Sequence, residues 1–179
     1  TQAATANGAA VAAGEPLVFY PVALFGGMAI AGGTGNTLPL ALMGLKSKSK
    51  QISAISKIAD VPGWFNINEP LTFGMPIMYN PIICIPYVLN IPVVMLLTLI
   101  GYRIGFLTPG WISISALLPM GMASYLSTLK WQNAIWDYLM LIPAGLIYYP
   151  FFKAYEKQLI AKEALAEQEE QFGVVAEQE

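Results

Sequence analysis

One carboxylate in this chain stands among residues that carry no other charge. Glu69 lies in the stretch 61–81, VPGWFNINEPLTFGMPIMYNP, and the next charged residue after it is Arg103. A carboxylate beside an apolar span is costly unless it has a hydrogen-bonding partner or a function. An ionised carboxylate only accepts hydrogen bonds. Glu69 therefore suits a ligand that offers several adjacent hydroxyl donors, as a sugar does.

Nearby amides and aromatic rings could complete a sugar site. The amides of Asn66 and Asn68 both donate and accept, as neutral hydroxyl groups require. Aromatic rings can pack on the apolar face of a pyranose, and the available ones are Trp64, Phe65 and Trp111. Asn80, which precedes a proline, fits a structural turn instead. The sequence thus predicts a substrate-binding set of Glu69, Asn68, Asn66 and Trp111.

Each of these residues also has a structural interpretation. Glu69 could pair with Lys57 or Arg103, or accept from a backbone N–H at a helix end. Asn66 could serve as a turn or helix cap. Trp111 could belong to an aromatic belt at a membrane interface, as could the aromatic residues near the other predicted span ends, Tyr148 among them.

The chain offers no constellation typical of an enzyme. It contains no histidine and a single cysteine, Cys84. Paired carboxylates and a nucleophile with an orienting partner are missing, so we predict no catalytic, cofactor or metal residues. The segment 32–37, GGTGNT, resembles a phosphate loop but lacks the Lys-Ser/Thr ending. Because this segment lies in an apolar run, close helix packing or a helix break is the better interpretation.

The composition predicts an all-α polytopic membrane protein. Hydrophobic residues make up 56% of the chain and charged residues 11%, whereas soluble domains average roughly 25% charged residues. Residues 153–179 carry three basic and seven acidic groups, which indicates a polar tail and no nucleic-acid partner. We predict a membrane-embedded domain at 1–152 and a cytoplasmic C-terminal tail at 153–179.

Apolar runs separated by charges indicate where the spans lie. Residues 17–45 carry no charge and are long enough for a span, which needs ~20 residues. Further spans are predicted at 82–102, 104–126 and 135–152. The prolines and glycines of 61–81 indicate broken backbone, which at membrane depth must be covered by protein or line a cavity. We therefore predict a re-entrant hairpin there.

The lysine loop, residues 46–50, poses a topological conflict. Its basic residues and those that begin the tail both favour the cytoplasmic side. An even number of crossings must then separate them, yet three spans are predicted. Either 61–81 adds a crossing or the lysine loop is not cytoplasmic. After the loop, Ile52, Ile55 and Ile58 are spaced for one face of a short interfacial helix.

Several segments of the chain resemble the phosphotransferase-system (PTS) IIC permeases of the lactose/cellobiose/N,N'-diacetylchitobiose family. They are NINEP at 66–70, FGMP at 73–76, NP at 80–81, GGTGNTL at 32–38, TANGAA at 5–10 and IYYPFFK at 147–153. The resemblance implies a homodimer with ten spans and two re-entrant hairpins. The N-terminal half would mediate dimerisation and the C-terminal half would carry the sugar. This chain, which begins with Thr, is similar to most of that C-terminal half.

The resemblance also implies roles and partners. Glu69 would hydrogen-bond the disaccharide, with Asn68 beside it, and Trp111 is the counterpart of a sugar-contacting tryptophan. A histidine that the family uses would lie upstream of this chain. The cytoplasmic IIB protein, itself supplied by IIA, would phosphorylate the sugar, so phosphoryl chemistry is expected there. The expected location is the bacterial plasma membrane, crossed several times and surrounded by lipid.

Two other functions remain open from the residues alone. Glu69 in a broken helix could couple transport to a proton or cation, as in secondary transporters. A remnant that does not transport is the third hypothesis, because an N-terminal half is expected and is not in this sequence.

Overall fold

The computed structural model describes residues 2–18, 31–112, 114 and 118–176, apart from the side chains of residues 3 and 170–176. Within these ranges the chain forms helices and loops, and no strand. The helices are α1 (Gln2–Ala13), α2 (Leu38–Leu45), α3 (Lys50–Trp64), α4 (Glu69–Gly74), a 3-10 turn (Ile77–Tyr79), α5 (Pro81–Arg103), α6 (Met122–Thr128), α7 (Trp131–Leu139) and α8 (Leu141–Ala176). The predicted all-α class is confirmed for the described residues.

Helices α2 and α3 form a hairpin around the lysine loop. The Ser49 hydroxyl accepts from the N–H of Ile52 and so caps the start of α3. The face of α3 that packs into the protein consists of Ile52, Ser56, Ala59 and Gly63. The predicted face is therefore wrong: Ile58 is 68% exposed, because six residues carry it about 120° around the helix from Ile52.

Two helical stretches of the described chain are long and apolar enough to cross a membrane, Pro81–Arg103 and Trp131–Glu169. The first matches the span predicted at 82–102, and Asn80 caps it by accepting from the N–H of Ile82, as the turn assignment predicted. The second contains the span predicted at 135–152. The stretches pack together, and the amide of Asn90 donates to the Ala144 carbonyl across this contact.

The span predicted at 104–126 is wrong for the residues that the structure describes. Between α5 and α6 the described residues, 104–112, 114 and 118–121, form no helix, and residues 113 and 115–117 lie outside the described ranges. Prolines at 109 and 119 remove helical N–H donors. The side chain of Asn133 instead satisfies both backbone groups of Thr108, at 3.2 and 2.9 Å. Of the run 17–45, residues 19–30 likewise lie outside the described ranges.

The lysine loop and the first part of the tail lie side by side. Glu156 on α8 accepts hydrogen bonds from the Ser47 hydroxyl and the Lys48 N–H. Both segments therefore lie on the same side of any membrane that the long helices cross. The conflict over the number of crossings arose because 104–126 was counted as a span. Helix α8 passes through residue 152 without a break, so the division into 1–152 and 153–179 stays a prediction.

Candidate functional site

Two loops meet at the end of the α2–α3 hairpin that is opposite the lysine loop. The glycine-rich loop, residues 31–37, leads into α2, and the motif loop, residues 65–68, follows α3. An antiparallel helix pair brings the start of one helix beside the end of the other. Segments about thirty residues apart in the chain are thereby placed in contact.

Two asparagine side chains join these loops. The N–H of Gly32 donates to Asn66 Oδ1 at 3.1 Å, and Asn68 Nδ2 donates to the Thr34 carbonyl at 2.7 Å. Asn66 has φ 63°, a left-handed conformation that asparagine tolerates better than most residues. One amide atom of each side chain is thus committed to the other loop, while Asn66 Nδ2 and Asn68 Oδ1 have capacity for a further partner.

The glycine-rich loop lies so close to its neighbours that two of its glycines, Gly33 and Gly35, leave no room for a side chain. A Cβ on Gly33 would lie 2.9 Å from the Asn66 carbonyl oxygen and from Asn68 Cγ. A Cβ on Gly35 would lie 2.4 Å from the ring of Tyr87 on α5. Both glycines have φ near 80°, where other residues are strained. The motif loop and α5 therefore need glycine at both positions.

Helix α8 also holds the glycine-rich loop. Tyr148 is fully buried, and its hydroxyl donates to the Gly35 carbonyl at 2.6 Å. Assigning Tyr148 to an interfacial belt is thus wrong. Sequence reasoning missed Gly33, Gly35, Tyr87 and Tyr148 as residues that shape the site. The repeated glycines of GGTGNT were the available signal, since they mark backbone that approaches other groups closely.

Glu69 follows these loops as the first residue of α4. Its side chain is exposed, and it makes no hydrogen bond or ion pair with any residue that the structure describes. Among these residues the ion pairs are Lys50–Glu167 and Lys153–Glu156, so neither Lys57 nor Arg103 neutralises Glu69. The carboxylate stays open to a ligand beside the two asparagines.

Trp111 lies in a different environment. The N–H groups of Trp111 and Ile112 donate to the Ser127 carbonyl at 3.0 and 3.1 Å. Asn7 of α1 donates to the adjacent Gly110 carbonyl at 3.1 Å. These contacts connect Trp111 to α1 and α6. The structure thus brings Asn66, Asn68 and Glu69 together, whereas the hydrogen bonds around Trp111 do not reach the motif loop.

Known proteins are similar to this chain. The family model described as "Phosphotransferase system, EIIC" matches residues 2–90. The lichenan permease IIC component of Bacillus subtilis (strain 168) is 37% identical over 135 residues, which are 74% of this chain and 30% of that protein. The cellobiose-specific EIIC component of Geobacillus stearothermophilus is 38% identical over 135 residues, again 74% of this chain and 30% of that protein.

A solved structure extends the similarity to the fold. The transporter ChbC, the IIC component of the N,N'-diacetylchitobiose-specific phosphotransferase system, superposes with a TM-score of 0.81 at 29% identity. The match covers 91% of this chain and 39% of ChbC. The chain thus spans about a third of the length of these relatives. Matched in its sequence motifs and over nearly all of its fold, it belongs to the phosphotransferase system EIIC family.

Proposed function

We propose that this chain is the sugar-binding part of a permease subunit that binds a disaccharide and moves it across the membrane for phosphorylation by a IIB partner. The observation that carries the proposal is the carboxylate of Glu69, which has no partner among the described residues and lies beside two interlocked loops. The names of relatives specific for cellobiose, lactose and N,N'-diacetylchitobiose support a disaccharide of one of these types.

The chemistry assigns complementary tasks to the site residues. Glu69 accepts hydrogen bonds from sugar hydroxyls, which are charge-assisted and therefore strong. Asn66 Nδ2 supplies a donor and Asn68 Oδ1 an acceptor, since their other amide atoms hold the loops together. A phosphorylated sugar carries negative charge that Glu69 repels. The same carboxylate that binds the neutral sugar thus favours release of the product.

The depth of the site agrees with transport. Helix α3 has 15 residues and rises about 1.5 Å per residue, so its ends lie about 22 Å apart. With the lysine loop at the cytoplasmic interface, the motif loop lies within the hydrocarbon layer, which is about 30 Å thick. Protein hydrogen bonds satisfy the broken backbone there. These features support a re-entrant hairpin in a bacterial plasma membrane protein that crosses the membrane several times.

Other parts of the assembly are proposed on the family alone. Residues 1–152 would form part of the membrane domain and 153–179 a cytoplasmic tail. The permease would be a homodimer through an N-terminal half, and lipid would surround it. Trp111 is proposed as a ring that packs against the sugar, contributed by the loop after α5. Phosphoryl transfer would take place on IIB, fed by IIA.

Calorimetry with a panel of disaccharides tests the proposal. The intact permease in nanodiscs should bind one β-linked disaccharide with a micromolar dissociation constant. Glu69→Gln should weaken binding by about tenfold to a hundredfold, since hydrogen bonds to charged groups contribute about 1.5–3 kcal/mol. Glu169→Gln, which alters an exposed carboxylate far along α8, is the matched control and should bind like the wild type.

Two outcomes would contradict the proposal. Unchanged affinity in the Glu69→Gln variant would remove this carboxylate from the sugar site. A folded wild-type protein that binds no disaccharide, combined with uptake that a protonophore abolishes and that needs no phosphoenolpyruvate, would favour the ion-coupled transporter.

A further inference from the structure

Carboxylates of α8 hold the lysine loop and the start of α3 in an arrangement that we call the carboxylate clasp, formed by Glu156 and Glu163 with residues 47–51. Glu156 Oε1 accepts from the Ser47 hydroxyl at 2.7 Å and from the Lys48 N–H at 3.0 Å. Its Oε2 accepts from Lys153 Nζ at 2.8 Å. Glu156 is only 6% exposed, so these bonds are sheltered from water.

Glu163 caps α3 from another helix. Its Oε1 accepts from the Ser49 hydroxyl at 2.7 Å and from the Gln51 N–H at 3.0 Å, and its Oε2 accepts from the Lys50 N–H at 3.1 Å. The first N–H groups of a helix have no partner within the helix, and the N-terminus favours negative charge. Glu163 therefore supplies both the acceptors and the charge that the start of α3 needs.

The pKa of Glu163 reflects this environment. Partial burial raises the pKa of the carboxyl, but the hydrogen bonds from Gln51, Ser49 and Lys50 outweigh that effect and hold the pKa below its usual value. The neighbouring ion pair between Lys50 and Glu167 is solvent-exposed on both side chains and contributes little. The hydrogen bonds of Glu163, rather than that pair, are the principal link between α3 and this part of α8.

Helix α8 thereby contacts both ends of the α2–α3 hairpin. Tyr148 holds the glycine-rich loop, and Glu163 holds the start of α3. These residues are fifteen positions apart on a continuous helix, which corresponds to about 22 Å. The length of α3 is the same. The two helices therefore run the same distance between the clasp and the site.

We propose that Glu163 is a positioning residue for the sugar site, because a shift at the clasp end would be carried along α3 to the motif loop. The inference rests on the proposed function, since it assigns the motif loop to sugar binding. Loss of the clasp would leave the start of α3 without acceptors and would allow the helix to shift. A binding constellation must be held within about 0.5 Å of its productive geometry, so a shift of α3 would weaken sugar binding.

Hydrogen–deuterium exchange on the intact permease in nanodiscs tests this inference. Glu163→Ala should speed exchange at residues 50–53, and also at the distant loops 32–37 and 65–69. Sugar affinity should fall about threefold to tenfold in the same variant. Glu163→Gln should show a smaller effect, because its amide oxygen still accepts a hydrogen bond from the start of α3. This variant replaces Glu163→Ala in the experiment if the alanine variant does not fold. Glu169→Ala is the matched control and should leave exchange unchanged.

The outcomes separate a positioning role from a local cap. Faster exchange confined to residues 50–53, with unchanged sugar affinity, would overturn the inference. Faster exchange at both loops in Glu163→Ala supports the positioning role, provided that exchange in the Glu169→Ala control is unchanged. A folded wild-type protein that binds no sugar would refute the proposed function instead, and the exchange at the two loops would still show whether Glu163 positions them.

Discussion

The two ends of the α2–α3 hairpin are held by side chains of different chemistry. At the site end, neutral groups do so: the amides of Asn66 and Asn68 and the hydroxyl of Tyr148. At the clasp end, ionised carboxylates do so, those of Glu156 and Glu163. Charge is costly within the hydrocarbon layer and tolerated near water. The difference is consistent with the proposed placement of the site end at membrane depth and the clasp end near water.

The comparison also shows that Glu69 differs from the other carboxylates. Within residues 31–37 and 65–69 it is the only charged residue, and neutral groups already satisfy the loops there. A carboxylate without a partner among the described residues, at the end that we propose to lie at membrane depth, is consistent with a ligand role. The carboxylates of the clasp, in contrast, are occupied by the fold itself.

The largest effect should follow from filling the contact between the two loops. Gly33→Ala places a methyl group 2.9 Å from Asn66 and Asn68 atoms at φ 82°. We expect sugar affinity to fall at least about a hundredfold, since a clash and a left-handed alanine together cost several kcal/mol. Calorimetry measures the affinity. Gly14→Ala, at φ 71° with no atom within 4 Å, controls for backbone strain alone, and equal losses in both variants would contradict the prediction.

A smaller effect should follow from loosening the glycine-rich loop from α8. Tyr148→Phe removes the hydroxyl that donates to the Gly35 carbonyl and leaves that carbonyl without this donor. We expect a loss of about 1–2 kcal/mol, seen as a lower melting temperature and about fivefold weaker sugar binding. Tyr149→Phe, on a ring that is 56% exposed, should change neither quantity. Wild-type affinity in Tyr148→Phe would show that α8 does not position the loop.

The clasp end should respond to acid. Because the pKa of Glu163 lies below its usual value of 4.5 when folded, its contribution to stability is complete above pH 4.5 and is lost as the pH falls through the folded pKa. The melting-temperature difference between wild type and Glu163→Gln should therefore shrink as the pH falls below 4.5. A difference that stays constant over this range would mean that ionised Glu163 does not stabilise the clasp.

The smallest effect should come from the exposed ion pair. Lys50→Ala removes the pair with Glu167, whose side chains are 83% and 57% exposed. Water screens an ion pair that is exposed on both sides, so we expect a change in melting temperature too small to resolve by calorimetry. A drop as large as that of Glu163→Ala would mean that the charge pair, rather than the cap on α3, holds the clasp.

Several features were determined by the sequence alone. The spacing of NINEP, FGMP and GGTGNTL identified the family, and the apolar run after residue 81 predicted α5 within one residue at each end. The isolation of Glu69 among uncharged residues marked it before any contact was known. The predictions of the family and of α5 were correct because charge, length and hydrophobicity act locally and can be read directly from the sequence, whereas the role of Glu69 stays a prediction.

The tertiary structure decided how those pieces meet. The irregular backbone at Thr108 is tolerated because the side chain of Asn133, more than twenty residues later, satisfies both of its backbone groups. The asparagines reach across about thirty residues to the glycine-rich loop, and Glu163 reaches back more than a hundred to the start of α3. Each of these contacts depends on which distant group the fold brings within hydrogen-bonding distance, and periodicity along the chain does not identify that partner.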